Sequence, residues 1–200
     1  MLKSAHMAIR ETLQIGDPRL KLPNKPIENF DASALKQVIE DLVDTMRKNG
    51  LIGIAVPQIG ENSLVFVTEP RKTPTRPADQ TDELRIFINP KITEMSSREA
   101  VAYEGCGCVA NGQLFGPVKR PKKITIEAYD QEGKKFQLRC DGILGRVVQH
   151  EYDHLQGIEF TEKITDYKKL MSFSFYIAEI KNSKSQTETS LITVKDILYF

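Results

Sequence analysis

The chain has 200 residues, of which 40% are hydrophobic and 28% are charged. This composition excludes a disordered, collagen-like or disulfide-stapled protein, because a chain of this size can bury a sizeable core. Its 28 basic side chains nearly balance 27 acidic ones, so no overall field attracts nucleic acid or an anionic membrane. We therefore expect no direct nucleic-acid partner and no membrane partner.

The cysteine content indicates the compartment. Three cysteines cannot all pair within the chain, and a domain of this size does not need disulfides, so a reducing environment is favoured. The first residues contain no apolar run of signal-peptide length, and no window resembles a membrane-spanning helix. We expect a cytoplasmic location, in a bacterium or in an organelle.

The first half of the chain begins with a predicted helix over residues 32–49, where apolar side chains recur at three- and four-residue spacing. Asp31 is the predicted N-cap of this helix. Two β-rich segments follow at 63–69 and 85–89, and the proline-rich, charged segment 70–83 between them is predicted as a surface loop.

A hairpin and a second helix are predicted next. Segments 124–129 and 135–140 flank a short polar turn, which is a strong hairpin signal. The second helix covers 142–156 and carries two histidines on one side.

The last part of the chain has a weaker pattern. Residues 166–181 predict a third helix, 182–190 a polar linker without core-forming residues, and 191–200 a short apolar end of β-like composition that must pack on the rest. Strands outnumber helices and lie apart from them, so the predicted fold class is α+β. We expect a catalytic domain over 1–165 and an appended C-terminal part over 166–200.

The strongest chemical signal is the pentapeptide from His150 to His154. Residues four apart on a helix point the same way, so both imidazoles can bind one metal ion. Glu151 lies next to the first imidazole, where a general base for hydrolysis would stand. The segment therefore predicts a metal site on the second helix.

Two histidines leave the third ligand undecided, and a catalytic zinc-type site takes three protein ligands. The extended metzincin motif would place a histidine at position 160, but Phe160 stands there. Glycines on both sides of Cys106 permit a close approach of the backbone. The remaining candidates are upstream thiols and downstream carboxylates: Cys106, Cys108, Cys140, Glu159, Glu162 and Glu179.

Three separated segments narrow this choice. Residues 52–60 read IGIAVPQIG, residues 104–106 read EGC, and residues 149–157 read QHEYDHLQG. In this order they resemble the motifs G-φ-G-φ-A-A-x-Q (φ apolar), E-G-C-φ-S and H-E-x-D-H of the peptide deformylases, especially the divergent, mitochondrial-like branch. The resemblance extends over about residues 8–165 and implies antiparallel sheets packed around a central metal-binding helix.

The resemblance implies an enzyme that removes the N-formyl group from N-formylmethionyl peptides and nascent proteins, releasing formate. It places the metal on Cys106, His150 and His154, with Glu151 as general base and acid. Ferrous iron is the expected native ion, with zinc and nickel as alternatives. The resemblance suggests the ribosome as a further partner, and we expect a monomer.

Further positions carry over for the substrate. Gln58 and the backbone N–H of Gly107 would hold the oxygen that becomes negative during the reaction. The substrate-binding positions implied for an extended peptide and its methionine side chain are Ile52, Gly53, Ile143 and Val147.

The chain also departs from the family motifs. Leu51 and Val56 replace a glycine and an alanine of the first motif. Gly107 and Cys108 replace the last two residues of the second motif, and residues 116–120 only approximate the proline–arginine element that often follows it. A second thiol next to the metal ligand could compete for the ion or pair with it on oxidation. These changes predict an altered substrate range rather than lost chemistry.

Two other functions stay open. A zinc endopeptidase would use Glu179 or a neighbour as its third ligand, and metal would then survive removal of the Cys106 thiol. A non-catalytic, deformylase-like module would bind formylated or nascent N-termini without hydrolysis, which the changes at Leu51, Val56 and Gly107 favour.

Overall fold

The computed structural model describes residues 9–73 and 81–200. In this described part the α-helices are fewer than the strands, which agrees with the predicted α+β class. They are α1 (Ser33–Lys48), α2 (Gly142–Leu155), the single turn α3 (Phe173–Phe175) and α4 (Lys184–Ser190). No described helix is long and apolar enough to cross a membrane.

The strands form two antiparallel sheets. They are β1 (Gly53–Ala55), β2 (Val65–Thr68), β3 (Arg85–Met95), β4 (Glu99–Gly105), β5 (Leu114–Pro121), β6 (Lys123–Tyr129), β7 (Lys135–Asp141), β8 (Met171–Ser172) and β9 (Lys195–Tyr199). The six-stranded sheet has the order β1-β2-β3-β6-β7-β9, and the three-stranded sheet has the order β4-β5-β8. Strands β1 and β4 are therefore edge strands of different sheets.

Helix α2 packs against both sheets, as expected for a central metal-binding helix. Its apolar residues Leu144, Val148 and Leu155 are buried in one core cluster with Phe66 and Phe87 of the larger sheet. On the other side the guanidinium of the same helix's Arg146 donates to backbone carbonyls of β4 and β5. The helix therefore fixes the two sheets relative to each other.

The first predicted helix, which is α1, and the β6–β7 hairpin are confirmed. The predicted N-cap of α1, Asp31, is wrong. Ala32 is the N-cap and no side-chain capping bond forms. Asp31 lies one residue earlier, in a turn where its N–H donates to Asn29 Oδ1 at 3.0 Å.

Strand β3 continues past its predicted end at residue 89. Pro90 interrupts the hydrogen-bonding pattern, and the ladder with β6 shifts register between Ile88 and Lys91. Asn89 has a φ of 51° at this irregularity. A bulge lets a strand absorb a proline that a regular ladder would exclude. Of the predicted loop 70–83, residues 74–80 lie outside the described part.

The last thirty residues, 171–200, form what we call the C-terminal segment, and here two predictions are wrong. The expected helix 166–181 is broken, because Met171 and Ser172 pair with β5 and only a short α turn and a π turn follow. The expected linker 182–190 contains α4, which begins at the Ser183 cap and buries Gln186. The apolar end is a strand, β9, and pairs with β7 as expected of a segment that must pack. The division at residue 165 stays a prediction.

Candidate metal centre and active site

Two elements bring three metal-ligating groups together. Cys106 follows the last residue of β4, and His150 and His154 lie one turn apart on α2. One ligand atom from each of the three lies within 4.8 Å of the others, and Cys106 Sγ is 3.2 Å from His154 Nε2. A thiol and two imidazoles at this spacing suit a tetrahedral transition-metal site with one open position.

The other candidates for the third ligand are not in this group. Glu179 is exposed on the π turn and is not part of the three-donor group. The structure therefore does not support it as the third ligand that the endopeptidase alternative requires. Cys140 is buried in the core of the larger sheet. Cys108 is buried next to the site, but the three-donor group does not include it.

Each imidazole meets a buried carboxylate on its far side. His150 Nδ1 is 2.9 Å from Glu104 Oε2, and His154 Nδ1 is 3.4 Å from Glu159 Oε2. The contact with Glu104 is a hydrogen bond, and a carboxylate that bonds one ring nitrogen fixes the ring and directs its other nitrogen to an ion. Glu159 lies beside His154 without forming a hydrogen bond to it. Glu159 is a candidate ligand by sequence, but in the structure it lies behind His154 and outside the three-donor group.

Buried charges hold Glu104 in place. Arg120 donates to both of its oxygens, at 2.7 and 2.9 Å, and Arg146 donates to Oε1 at 2.7 Å. Arg120 also donates to Asp153 of α2 at 2.7 Å. Burial alone would raise the pKa of Glu104, but Arg120 and the hydrogen bond with His150 hold the pKa well below its ordinary value. The carboxylate therefore stays ionised.

The sequence pattern alone does not assign a role to these supporting residues. Glu104 and Asp153 stand inside the quoted motifs, and Arg120 stands in the segment that only approximates a family element. The available signal is that a metal motif contains ionisable residues that are not themselves metal ligands, which indicates a supporting role. What it could not reveal is that all three meet.

Glu151 is buried at the wall of the site, with an exposed fraction of 2%. Burial raises the pKa of its carboxyl to about 7, which suits a group that accepts and returns a proton near neutral pH. Its Oε2 is a buried oxygen without a hydrogen-bond partner among the described residues. A buried polar atom of this kind indicates a place for a bound group.

The ligand protonation states are also set by the surroundings. Burial, followed by the positive charges near it, keeps the pKa of His154 well below its ordinary value, so the ring is neutral as metal binding requires. The hydrogen bond with Cys108, followed by burial, raises the pKa of the Cys106 thiol. Metal binding at this site must therefore displace a thiol proton.

Gln58 lies beside the proposed thiolate ligand. Its Oε1 accepts a hydrogen bond from the N–H of Ala55 at 2.6 Å, which leaves its amide N–H groups directed to the site. Nε2 is 3.6 Å from Cys106 Sγ and 3.4 Å from Cys108 Sγ. The amide is thus held by one end and offers donors at the other.

A cavity of about 430 Å³ opens onto these groups. Every position that the resemblance assigned to substrate or oxyanion binding lines it. These positions are Ile52, Gly53, Gln58, Gly107, Ile143 and Val147.

The small size of Gly53 has a direct geometric reason. A Cβ on this residue would lie 2.6 Å from Glu151 Oε1 and 2.6 Å from Val147 Cγ2. Real Cβ atoms do not approach other atoms so closely, so β1 can pass the carboxylate only with glycine here.

Two of the departures from the motifs meet in space. A Cβ on Gly107 would lie 3.4 Å from Leu51 Cδ1, so the larger residue of the first motif faces the smaller residue of the second. Val56 does not face the cavity; it is fully buried in the core cluster beneath α1. The change at Val56 is thus a core substitution, whereas Leu51 and Gly107 shape the cavity wall.

Comparison with known proteins agrees with this site. The sequence model of the family described as "Polypeptide deformylase" matches residues 9–170. The peptide deformylase of Chromobacterium violaceum is 37% identical over 163 residues, which cover 82% of this chain and 91% of that protein. The chloroplastic peptide deformylase 1B of Solanum lycopersicum is 36% identical over 150 residues, which cover 75% of this chain and 51% of that protein.

A solved structure agrees as well. The Met-Ala-Ser-bound class I type b peptide deformylase of Acinetobacter baumannii superposes with a TM-score of 0.74 at 29% identity, covering 79% of this chain and 99% of that one. With the match to the family over most of the chain and the metal-ligating group at its centre, the chain belongs to the polypeptide deformylase family.

Proposed function

We propose that this chain hydrolyses the N-formyl group of N-formylmethionyl peptides and nascent proteins and releases formate. The observation that carries the proposal is the meeting of Cys106, His150 and His154 beside the buried carboxylate of Glu151. Support comes from the family match and from the Acinetobacter relative, which is described as bound to Met-Ala-Ser.

Cys106, His150 and His154 would hold one divalent ion. When bound, such an ion supplies Lewis-acid chemistry, acidifying water and polarising a carbonyl oxygen. The donor set of one sulfur and two nitrogens fits a transition metal better than magnesium or calcium. We infer ferrous iron as the native ion, with zinc and nickel as alternatives.

Glu151 carries the proton in this proposal. Its carboxylate accepts a proton from the attacking water and returns it to the amine that leaves when the formyl group is removed. Burial raises the pKa of this carboxyl, which favours uptake of the proton that it later returns.

Gln58 and the backbone N–H of Gly107 would stabilise the oxygen of the formyl group as it becomes negative. Loss of one such donor costs about 10²- to 10³-fold in rate in other hydrolases. The amide of Gln58 suits this role because its oxygen is held by Ala55 and cannot turn its acceptor to the substrate.

The peptide would lie against β1, next to Ile52 and Gly53. The methionine side chain would contact Ile143 and Val147, which precede His150 on α2 and line the same cavity. These two apolar side chains favour a thioether over a charged side chain.

Formylated N-termini arise in bacterial and organellar translation. The relatives described above include a bacterial and a chloroplastic peptide deformylase. We propose a cytoplasmic or organellar-matrix location, a monomer, and the ribosome as a further partner. Free formylated peptides alone would satisfy the site.

The direct test measures formate released from N-formyl-Met-Ala-Ser by enzyme loaded anaerobically with ferrous iron. We expect Glu151→Gln to lower kcat by about 10²- to 10⁴-fold while elemental analysis finds the metal retained. Absence of formate from the correctly loaded wild-type protein would refute the proposal. Tight peptide binding without formate would instead indicate the non-catalytic module.

A further inference from the structure

The site cavity is lined by the C-terminal segment as well as by the residues around the metal-ligating group. Tyr103 of β4 and Gln186 of α4 both belong to its lining. The family match ends at residue 170, so Gln186 comes from a part of the chain that the family pattern does not cover. It is buried, with an exposed fraction of 9%.

The side-chain amide of Gln186 makes the hydrogen bonds that a backbone peptide group of a neighbouring strand would make. Its Oε1 accepts from the N–H of Tyr103 at 2.9 Å, and its Nε2 donates to the C=O of Tyr103 at 3.1 Å. A neighbouring strand would make the same two bonds with an edge residue of an antiparallel sheet. The amide therefore occupies one peptide-binding position on the edge of β4.

The cavity lies between two strand edges, since β1 ends the larger sheet and β4 ends the smaller one. Exposed edges of this kind bind extended peptides by adding a strand. Backbone groups of alternate residues point the same way on a strand, so Gly105 faces the cleft on the side that Tyr103 faces. A peptide whose formyl end lies beside Cys106 runs antiparallel to β4, passing Gly105 first and Tyr103 next.

Tyr103 precedes Cys106 by three positions, about 10 Å along a strand. A two-residue substrate ends before this point, whereas the third or a later residue of a longer chain reaches it. Gln186 stands where that residue would pair.

The C-terminal segment is fastened on both sides of Gln186. Before α4, β8 pairs with β5, and Tyr176 stacks on Phe115 with ring centroids 4.1 Å apart. After α4, the N–H groups of Thr193 and Val194 donate to Asp141 Oδ1 at 2.7 and 2.8 Å. Gln186 is therefore held in place rather than resting loosely on the cleft.

We infer that Gln186 determines how long a formylated peptide the cleft accepts. The inference rests on the proposed deformylase function and adds a substrate class to it: short formylated N-termini bind with α4 in place. Longer chains must displace the two hydrogen bonds of Gln186 before they can pair with Tyr103.

The test compares kcat/KM for N-formyl-Met-Ala and N-formyl-Met-Ala-Ser-Ala-Ser in wild type and in Gln186→Met. Methionine keeps the length of the side chain but cannot pair with the backbone. We expect kcat/KM for the long peptide, divided by kcat/KM for the short one, to rise about tenfold in the variant. This is the size of effect that two neutral hydrogen bonds produce. Glu188→Gln, an exposed change on the same helix, should leave the ratio unchanged.

Hydrogen exchange at the amide of Tyr103 gives an independent readout. In wild type this amide should exchange slowly without peptide. In Gln186→Met it should exchange faster, and the long peptide should slow it again while the short one should not. An unchanged substrate ratio would overturn the inference, even if the amide of Tyr103 exchanges faster in the variant. If no peptide releases formate, the proposed function fails, and the exchange experiment still tests the position of Gln186.

Discussion

Glu104 Oε2 lies 2.9 Å from His150 Nδ1, so a residue of β4 orients a proposed metal ligand of α2. The same carboxylate accepts hydrogen bonds from Arg120 and Arg146. Because Cys106 follows two residues after Glu104, one carboxylate fixes the position of the thiol strand relative to the imidazole helix. Metal affinity and fold stability should therefore both depend on it.

We predict that Glu104→Gln lowers the free energy of unfolding by about 3 kcal/mol, because buried Arg120 and Arg146 lose their ionised partner. It should also weaken metal binding by about 10- to 100-fold, since His150 loses the acceptor that orients it. Urea denaturation and competition with a chelating dye measure the two effects.

The control for Glu104 is Glu99→Gln on the same strand. Glu99 pairs with Lys119 at 2.6 Å, but both side chains are largely exposed, and such pairs contribute little. Unchanged metal affinity in Glu104→Gln would contradict a positioning role, even if the stability falls.

Gly53→Ala should move the proposed proton carrier. The new Cβ would overlap Glu151 Oε1, and overpacking of this kind costs about 1 to 3 kcal/mol. We predict a lower kcat with the metal still bound, because the new Cβ displaces Glu151 and does not contact the three proposed ligands.

Gly107→Ala is the matched control for Gly53→Ala. Its Cβ would meet Leu51 at 3.4 Å, and alanine keeps the backbone N–H that the proposed oxyanion role uses. Formate release should stay close to the wild-type rate. Equal losses of kcat in the two alanine variants would show that the cavity wall, and not Glu151, is the sensitive element.

The sequence predicted the parts of the fold that local pattern controls. Helix α1 and the hairpin of β6 and β7 follow from apolar periodicity and turn chemistry. The predictions for segments 166–181 and 182–190 are wrong because tertiary contacts determine the structure there. Met171 and Ser172 pair with the edge of β5, and Gln186 pairs with the backbone of Tyr103. A polar residue that is buried to pair with a distant backbone leaves no periodic signal.

For the site, the ordered motifs and their resemblance to a family predicted the ligand and substrate positions. The structure groups the three candidate ligands and places all the predicted substrate positions on one cavity. The roles of those residues stay predictions, as does membership of the mitochondrial-like branch. Sequence could not reveal the supporting shell, because Glu104, Arg120 and Asp153 come from three different elements. Their meeting depends on sheet pairing and not on spacing.

The two neighbouring thiols should differ in metal binding. Cys106 belongs to the three-donor group and Cys108 does not, although the N–H of Cys108 donates to Cys106 Sγ at 3.4 Å. We predict that Cys106→Ser reduces bound metal to a trace, while Cys108→Ser keeps a full equivalent. Anaerobic elemental analysis checks both, and metal retained in Cys106→Ser would indicate a different third ligand.

A separate ion cluster should make stability depend on pH. Asp82 accepts hydrogen bonds from Arg85 Nε and from Lys195 Nζ, at 2.5 and 2.9 Å, and so connects β3 with β9. Burial alone would raise the pKa of the Asp82 carboxyl, but these hydrogen bonds outweigh it and hold the pKa below its ordinary value. A carboxyl with a lowered folded-state pKa stabilises the fold above the unfolded-state pKa of about 3.9, and this stabilisation is lost as the pH falls through the folded-state pKa.

We therefore predict that Asp82→Asn lowers the free energy of unfolding by about 2 kcal/mol at pH 7, the size expected for hydrogen bonds to a charged group. The difference from wild type should stay constant down to about pH 5 and shrink below about pH 4, where the carboxyl becomes protonated in the unfolded wild-type chain before it does in the folded one. Urea denaturation from pH 7 to pH 3, with a chelator present so that metal release does not contribute, measures it. Asp196→Asn, an exposed change on β9, should show no such difference. A deficit in Asp82→Asn that persists undiminished at pH 3 would mean that packing, and not the charge, is what Asp82 contributes.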